Sequence, residues 1–254
     1  MKPFFYTTFF LIIICGAPVF AYGQHDVSAS INTRIERLEQ RFGILFQYRN
    51  FPGNTGIIKL SAIPEEEYPR LDEYLSLFEE EINKYPPGFF KGQGVLGIGL
   101  ATHLFFGERP VQGFYNPTAK VMFFDIARFS RNKAQQRHGI HHEIFHMMFE
   151  VKGDFPPLSE EEWSSFNGPD FTYGEKKRFD KPNPYNYYAP REPGFATYYS
   201  MEAVREDQAE IFACLMLEQN RRLLEKWIVQ DKVLEKKVQA VKDFAKYFHE
   251  GMEW

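Results

Sequence analysis

The chain has 254 residues and a formal net charge of −4, and its composition is 44% hydrophobic and 17% aromatic. This composition is typical of a globular protein and excludes an intrinsically disordered chain. No stripe of basic residues is present, so nucleic acid is excluded as a partner, because phosphate binding needs clustered lysine and arginine.

The first predicted element is a signal peptide in residues 1–23. The apolar run "FFYTTFFLIIICGAPVFA" is followed by small residues at Ala21 and Gly23, which form a cleavage site. The alternative is an uncleaved membrane anchor, since the run is about long enough to span a bilayer. Cleavage would give a secreted or periplasmic protein without stable membrane insertion. It would leave Cys214, which we expect to be buried, as the single cysteine, so no intramolecular disulfide could form.

Residues 24–130 combine helical and strand patterns. "INTRIERLEQRFG" is typical of a short amphipathic helix, and "ILFQYRN" and "GIIKLSA" of strands on either side of the turn "FPGNTG". "IPEEEYPRLDEYLSLFEEEINKYP" has helical spacing, whereas "GVLGIGLATHLFF" and "KVMFFDIARF" are predicted to be strands. These patterns predict an α/β or α+β half with a sheet of roughly three to five strands.

Residues 131–254 are predicted to be mainly helical. "SRNKAQQRHGIHHEIFHMMFEV" has a helical pattern, and residues 152–198 form a long connection whose aromatic side chains we expect to pack on the body. Two or three more helices follow. "KVMFFDI" directly precedes the histidine-rich helix. It is therefore predicted to be the strand nearest that helix, with a free edge to which a peptide could be added.

The histidine-rich helix contains a metal-binding pattern. One register of "HHEIFH" gives His-Glu-x-x-His, with His142, Glu143 and His146. Residues four apart share a helix face, so both imidazoles can bind one metal ion, and zinc suits these ligands. Glu143 can act on a water molecule without being a ligand. We expect His138 and His141 to lie at the surface or to support the ligands from behind.

A third protein ligand must lie further along the chain, because residues 147–153 contain no histidine. "REDQAE" offers Glu206, Asp207 and Glu210 on one predicted helix, where Glu206 and Glu210 share a face. One of these two can bind the metal while the other accepts a hydrogen bond from a ligand imidazole. The alternative is a solvated acidic helix face.

A His-Glu-x-x-His motif followed by a distant glutamate resembles the gluzincin metallopeptidases. "YSMEAVREDQAEIF" resembles more narrowly the catalytic domain of the anthrax lethal factor type and related bacterial zinc metallopeptidases. In that group a tyrosine stands seven residues before the ligand glutamate and an acidic residue stands four after it, positions held here by Tyr199, Glu206 and Glu210. "EEWSSFNGPDFTYG" is similar to a stretch of the same bacterial proteins.

The resemblance implies a zincin-like α+β fold in which residues 24–254 form a single catalytic domain. In this fold a small mixed sheet packs on the active-site helix, and the C-terminal half is mainly helical. The implied activity is that of a secreted zinc-dependent endopeptidase acting on a peptide or protein, with a cell-wall peptide as an open substrate alternative. A non-catalytic binding or structural protein that retains the fold is the competing hypothesis, and the oligomeric state is left open.

The resemblance also implies a role for each candidate site residue. The ligands of Zn²⁺ would be His142, His146 and Glu206. Glu143 would be the general base, and Tyr199 would donate a hydrogen bond to the oxyanion, with Tyr198 as its adjacent rival. Glu210 would orient one of the two ligand histidines.

Overall fold

The computed structural model describes residues 22–49, 57–128, 130–153, 155–174 and 192–249, with side chains from residue 27 onward. The predicted signal peptide lies outside the described residues except for its last two positions. The turn at 51–56 and residues 175–191 of the predicted connection also lie outside them. Among the described helices, none combines the length and the apolar character needed to cross a bilayer.

The described residues form an α+β structure in which all strands precede the histidine-rich helix α4. The helices are α1 (Tyr22–Phe42), α2 (Tyr68–Ile82), α3 (Phe89–Gly92), α4 (Lys133–Lys152), α5 (Glu160–Ser165), α6 (Val204–Met216), α7 (Glu218–Ile228) and α8 (Lys232–Phe248). The strands are β1 (Leu45–Gln47), β2 (Ile58–Ser61), β3 (Gly97–Phe106), β4 (Arg109–Pro110), β5 (Gly113–Asn116) and β6 (Val121–Asp125). The predicted fold class, with its small mixed sheet and helical C-terminal half, is confirmed.

β3 is the centre of the sheet, because β1, β2, β4 and β6 all pair with it. β1 and β6 run parallel to β3, whereas β2 and β4 run antiparallel to it. β5 pairs antiparallel with β6 at the edge. The sheet has six strands rather than the expected three to five. The excess arises because β4 and β5 are too short to show a hydrophobic period.

The prediction that the β6 segment is the strand nearest α4, with a free edge, is wrong. β6 lies between β3 and β5, so both of its edges are paired. The chain turns after Asn116, and β5 therefore lies between β6 and the helix. The outer edge of β5 pairs with no strand in the described part of the chain. Proximity along the chain could not reveal this arrangement, because it depends on the reversal between β5 and β6.

α4 and α6 pack against each other at the centre of the molecule. α4 begins after Asn132, whose side chain accepts a hydrogen bond from the backbone N–H of Gln135 at 3.1 Å. Phe145 of α4 contacts Phe212 of α6, with 5.5 Å between the ring centroids. Cys214 of α6 is buried as predicted, and burial raises the pKa of its thiol well above the usual value. The contact between these helices fixes the distance between the histidine motif and the downstream carboxylates.

A buried ion pair attaches the connection after α4 to the C-terminal helices. Asp207 of α6 and Lys237 of α8 are both fully buried, with 2.7 Å between Oδ2 and Nζ. The same Oδ2 atom accepts hydrogen bonds from the Trp163 indole N–H at 3.0 Å and from the Tyr173 hydroxyl at 2.8 Å. Lys237 also donates to the backbone oxygen of Gly194 at 2.9 Å. The prediction that aromatic residues of this connection pack on the body is therefore confirmed.

Lys237→Met should lower the free energy of unfolding by about 3 to 5 kcal/mol, because it leaves a buried carboxylate without its cation. Lys236→Met is a matched control at the exposed neighbouring position and should change stability by no more than about 0.5 kcal/mol. Urea unfolding of both variants at neutral pH measures the difference. Equal stability of the two variants would contradict a stabilising role for this pair.

Candidate active site

Three donor atoms from α4 and α6 converge at one point of the structure. Nε2 of His142 lies 3.1 Å from Nε2 of His146 and 3.0 Å from Oε2 of Glu206. Nε2 of His146 lies 3.6 Å from the same carboxylate oxygen. The structure thus brings together the three residues that the sequence predicted as metal ligands, at a place where all three side chains are at least partly buried.

The spacing of these three atoms suits a zinc ion. A tetrahedral ion about 2.0 to 2.1 Å from its ligands separates them by about 3.3 Å, which lies within the observed spread. Two imidazole nitrogens and a carboxylate oxygen that face each other also repel unless a cation or a proton lies between them. Burial opposes ionisation of Glu206, but the two imidazoles outweigh it and hold the pKa of this carboxyl well below the usual range. The Glu206 carboxylate is therefore ionised, and with two imidazoles it fits a divalent metal.

Glu210 lies one helical turn after Glu206 and contacts His142 from behind. Oε1 of Glu210 accepts hydrogen bonds from Nδ1 of His142 at 2.9 Å and from Nε2 of His138 at 2.8 Å. Oε2 accepts a hydrogen bond from the Thr197 hydroxyl at 2.7 Å. Burial opposes ionisation, but the two histidines outweigh it and hold the pKa of Glu210 well below its usual range. Because an ionised carboxylate only accepts, His142 carries a proton on Nδ1 and Nε2 is left to face the metal position.

His138 and His141 are both buried, with 1% and 0% of their surface exposed, so neither lies at the surface. His138 supports Glu210, in line with the expectation of a residue behind the ligands. His141 belongs to a separate cluster, in which Nδ1 lies 2.8 Å from the Tyr85 hydroxyl and Nε2 lies 2.8 Å from Glu81. Burial lowers the pKa of His141 to about 4, against the opposing effect of Glu81. α4 is enclosed by α2 on one side and by α6 on the other, which explains why its histidines are covered.

Glu143 lies between the metal ligands and the edge strand β5. Burial raises the pKa of its carboxyl, although the nearby imidazoles of His142 and His146 oppose the shift. A Cβ atom added to Gly113 of β5 would lie 2.5 Å from Cγ of Glu143, so only glycine allows the strand to approach this closely. A carboxylate with a raised pKa beside a metal position is suited to accept a proton and release it again.

A second close contact, made by the residue before β5, lies one turn earlier on α4. The Gln112 side chain donates hydrogen bonds to the backbone oxygens of Gln135 and Gln136 at 3.3 and 3.2 Å. A Cβ atom on Gly139 would lie 2.1 Å from that side chain. The sequence alone did not point to Gln112, Gly113 or Gly139. The one available signal was a glycine inside a helix, which costs about 1 kcal/mol relative to alanine and often marks a close approach.

A cleft lies between β5 and the two helices, and the three candidate ligands, Glu143 and Tyr199 all line it. The Tyr199 ring stacks on the His142 imidazole, with 5.7 Å between centroids and 30° between planes. Tyr198, its predicted rival, is not among the residues that line the cleft. Arg109 and Arg128 also line the cleft. The structure thus brings Tyr199, rather than Tyr198, beside the candidate ligands.

The part of the chain that carries this site matches a family of known proteins. A family described as "Putative zinc-binding metallo-peptidase" matches residues 104–249, which are more than half of the chain and include every candidate site residue. A crystal structure of a protein described in the same words, from Bacteroides caccae, is 16% identical with a TM-score of 0.49, over 87% of this chain and 86% of that one. Among curated proteins, none matches the chain. The family match confirms the resemblance drawn from the His-Glu-x-x-His motif, and the chain belongs to this family of zinc-binding metallo-peptidases.

Proposed function

We propose that this protein is a secreted zinc-dependent endopeptidase that hydrolyses peptide bonds with an activated water molecule. The observation that carries the proposal is the convergence of three metal-ligating atoms beside a glutamate whose carboxyl pKa is raised by burial. Membership of the metallo-peptidase family supports the same reaction class. A non-catalytic protein with this fold would have no need of a base, so the presence of Glu143 at this position favours the enzyme.

His142, His146 and Glu206 would hold the metal. Bound Zn²⁺ would supply a Lewis acid that lowers the pKa of water and polarises the scissile carbonyl. Glu210 accepts a hydrogen bond from Nδ1–H of His142 and so keeps the other ring nitrogen directed at the metal position. The arrangement therefore uses one carboxylate for binding and a second one, a helical turn away, for orientation.

Two further side chains would take part in proton transfer and charge stabilisation. The Glu143 carboxylate would take a proton from the attacking water and pass it to the nitrogen of the leaving amine. The Tyr199 hydroxyl would donate a hydrogen bond to the oxygen that gains charge in the transition state. Its stacking on His142 supports this role, because the ring is held next to a candidate zinc ligand.

An extended peptide would bind along the outer edge of β5. Free strand edges bind extended peptides by adding a strand, with backbone hydrogen bonds that are independent of sequence. Gly113 of this strand contacts Glu143, so a peptide paired with β5 would pass directly over the proposed base. Pairing through the middle of a peptide favours cleavage inside a chain, which supports an endopeptidase.

Protein purified without chelator should contain about one zinc ion per chain. Glu206→Gln should lose zinc, because an amide is a poorer ligand than a carboxylate. Glu210→Gln should keep zinc with an affinity that is lower by about 10-fold to 100-fold. Metal analysis measures the zinc content of both variants, and chelator competition measures their zinc affinity. Each variant is the control for the other, because both replace a glutamate of α6 by glutamine. The reverse pattern would make Glu210 the ligand, and a parent protein that stays metal-free after zinc is added would refute the site.

Glu143→Ala should abolish peptide hydrolysis while keeping zinc. Tyr199→Phe should keep zinc and the fold but lower kcat on the order of 100-fold to 1000-fold, or about 3 to 4 kcal/mol, because it removes one donor to the oxyanion. Tyr198→Phe is the matched control and should resemble the parent. A loss of kcat in Tyr198→Phe instead would assign the role of oxyanion donor to Tyr198. Failure of the zinc-loaded parent to cleave any member of a mixed peptide library would favour the non-catalytic alternative.

The proposed export rests on the apolar run in residues 1–23 and the small residues at its end. Expression of the full chain in a bacterium should give a protein in the periplasm or the medium that begins near Gln24. Mass spectrometry of the intact protein from each cell fraction measures this. An uncleaved chain found with the membranes would instead support an N-terminal anchor.

A further inference from the structure

Thr197 connects the two halves of the proposed active site. Its side chain is 3% exposed, and its hydroxyl donates to Glu210, the carboxylate that orients His142. It also precedes Tyr199 by two residues in the chain. We infer that Thr197 is a positioning residue that couples the orientation of a zinc ligand to the placement of Tyr199. This inference rests on the proposed function, because it assigns a task within that reaction.

The Thr197 hydroxyl uses its complete hydrogen-bonding capacity. A hydroxyl has one proton to donate and two lone pairs. The proton goes to Oε2 of Glu210 at 2.7 Å, since an ionised carboxylate only accepts. Thr197 Oγ1 then accepts from the backbone N–H of Ser200 at 3.1 Å and from the Ser200 hydroxyl at 3.3 Å. The direction of each bond follows from the charge of Glu210.

These bonds close a small ring around Tyr199. The backbone N–H of Thr197 lies 3.4 Å from Oγ of Ser200, which accepts from it and donates back to the threonine hydroxyl. Tyr199 begins the 3-10 turn Tyr199–Met201 and lies between the two bonded residues. Ser200 is fully buried, so the turn is held on its inner side. The Tyr199 ring stacks on His142, and the closed turn limits how far the ring can move from it.

The Glu210 carboxylate therefore contacts both the zinc ligand His142 and the segment that holds the Tyr199 turn. Oε1 of Glu210 fixes the ring of His142, and Oε2 fixes the turn that carries Tyr199. A movement of Glu210 would shift the zinc ligand and the proposed oxyanion donor together. Removal of the Thr197 hydroxyl should break this connection while leaving the zinc ligands, Glu143 and Tyr199 chemically intact.

Thr197→Val is the direct test, because valine has nearly the same shape and lacks only the hydroxyl. Chelator competition should show zinc affinity lower by about 10-fold, as is typical when a group behind a zinc ligand is lost. At saturating zinc, kcat should also fall by about 10-fold with little change in KM, because Tyr199 acts mainly in the transition state. Thr197→Ser restores the hydroxyl and should restore both values. Thr102→Val is the matched control, since Thr102 is another buried threonine, in β3.

A double-mutant cycle decides whether Thr197 acts through Tyr199. In the Tyr199→Phe background, Thr197→Val should cause no further loss of kcat, whereas its effect on zinc affinity should remain. Independent, multiplied losses of kcat would overturn the inference, and so would a zinc affinity equal to that of Thr102→Val. If Thr197→Val does not fold, Ser200→Ala removes a donor to the same hydroxyl and must show the same two effects at a smaller size.

The zinc measurement separates this inference from the proposed function. A parent protein that binds zinc but cleaves no peptide would refute the endopeptidase. Chelator competition on Thr197→Val and Thr197→Ser would still decide whether the hydroxyl acts on the metal site through Glu210. Equal zinc affinity in all of these variants and the parent would overturn the inference whatever the result of the activity assay.

Discussion

The arrangement of the site depends on the hydrogen bonds that the buried Glu210 carboxylate accepts. An isolated carboxylate in a protein interior costs several kcal/mol, and that penalty is offset only when its lone pairs are satisfied with good geometry. Here the donors come from α4, which supplies His138 and His142, and from Thr197 in the segment before α6. Each element can satisfy the charge only in one register. The hydrogen bonds that satisfy this buried charge therefore fix the positions of α4, α6 and the Tyr199 turn relative to one another.

A second constraint acts from the other side of α4. β5 approaches the helix so closely that position 113 needs glycine, and the Gln112 side chain just before β5 packs directly on Gly139 of the helix. The same closeness places β5, whose outer edge pairs with no strand among the described residues, beside Glu143. Together with the carboxylate behind the ligands, it leaves a cleft lined both by the candidate metal ligands and by residues of β5. The chemistry and the binding surface are thus set by two different contacts of one helix.

The parts of this site that follow local rules could be predicted from the sequence, and those that depend on tertiary contacts could not. His142, Glu143 and His146 follow from the period of a helix, and so does the shared face of Glu206 and Glu210. Burial of His138 and His141 could not be inferred, because the enclosing residues come from α2 and α6. The pairing of β5 was missed because four residues carry too little periodicity. Thr197 gave no signal, since a threonine in an irregular segment looks the same whether its hydroxyl meets water or a buried carboxylate.

The buried pair of Asp207 and Lys237 has a consequence for how the protein acquires its metal. Asp207 is the residue next to Glu206, so the backbone that carries the third ligand is anchored by contacts that involve no metal. In small zinc domains the ion is needed for folding, because the unfolded chain has no other means of assembling its ligands. Here a large core and this ion pair hold the backbone that carries the ligands through contacts that involve no metal. We therefore expect folding and metal loading to be separate events, so that a chain folded without zinc can take up the ion later, in whichever compartment supplies it.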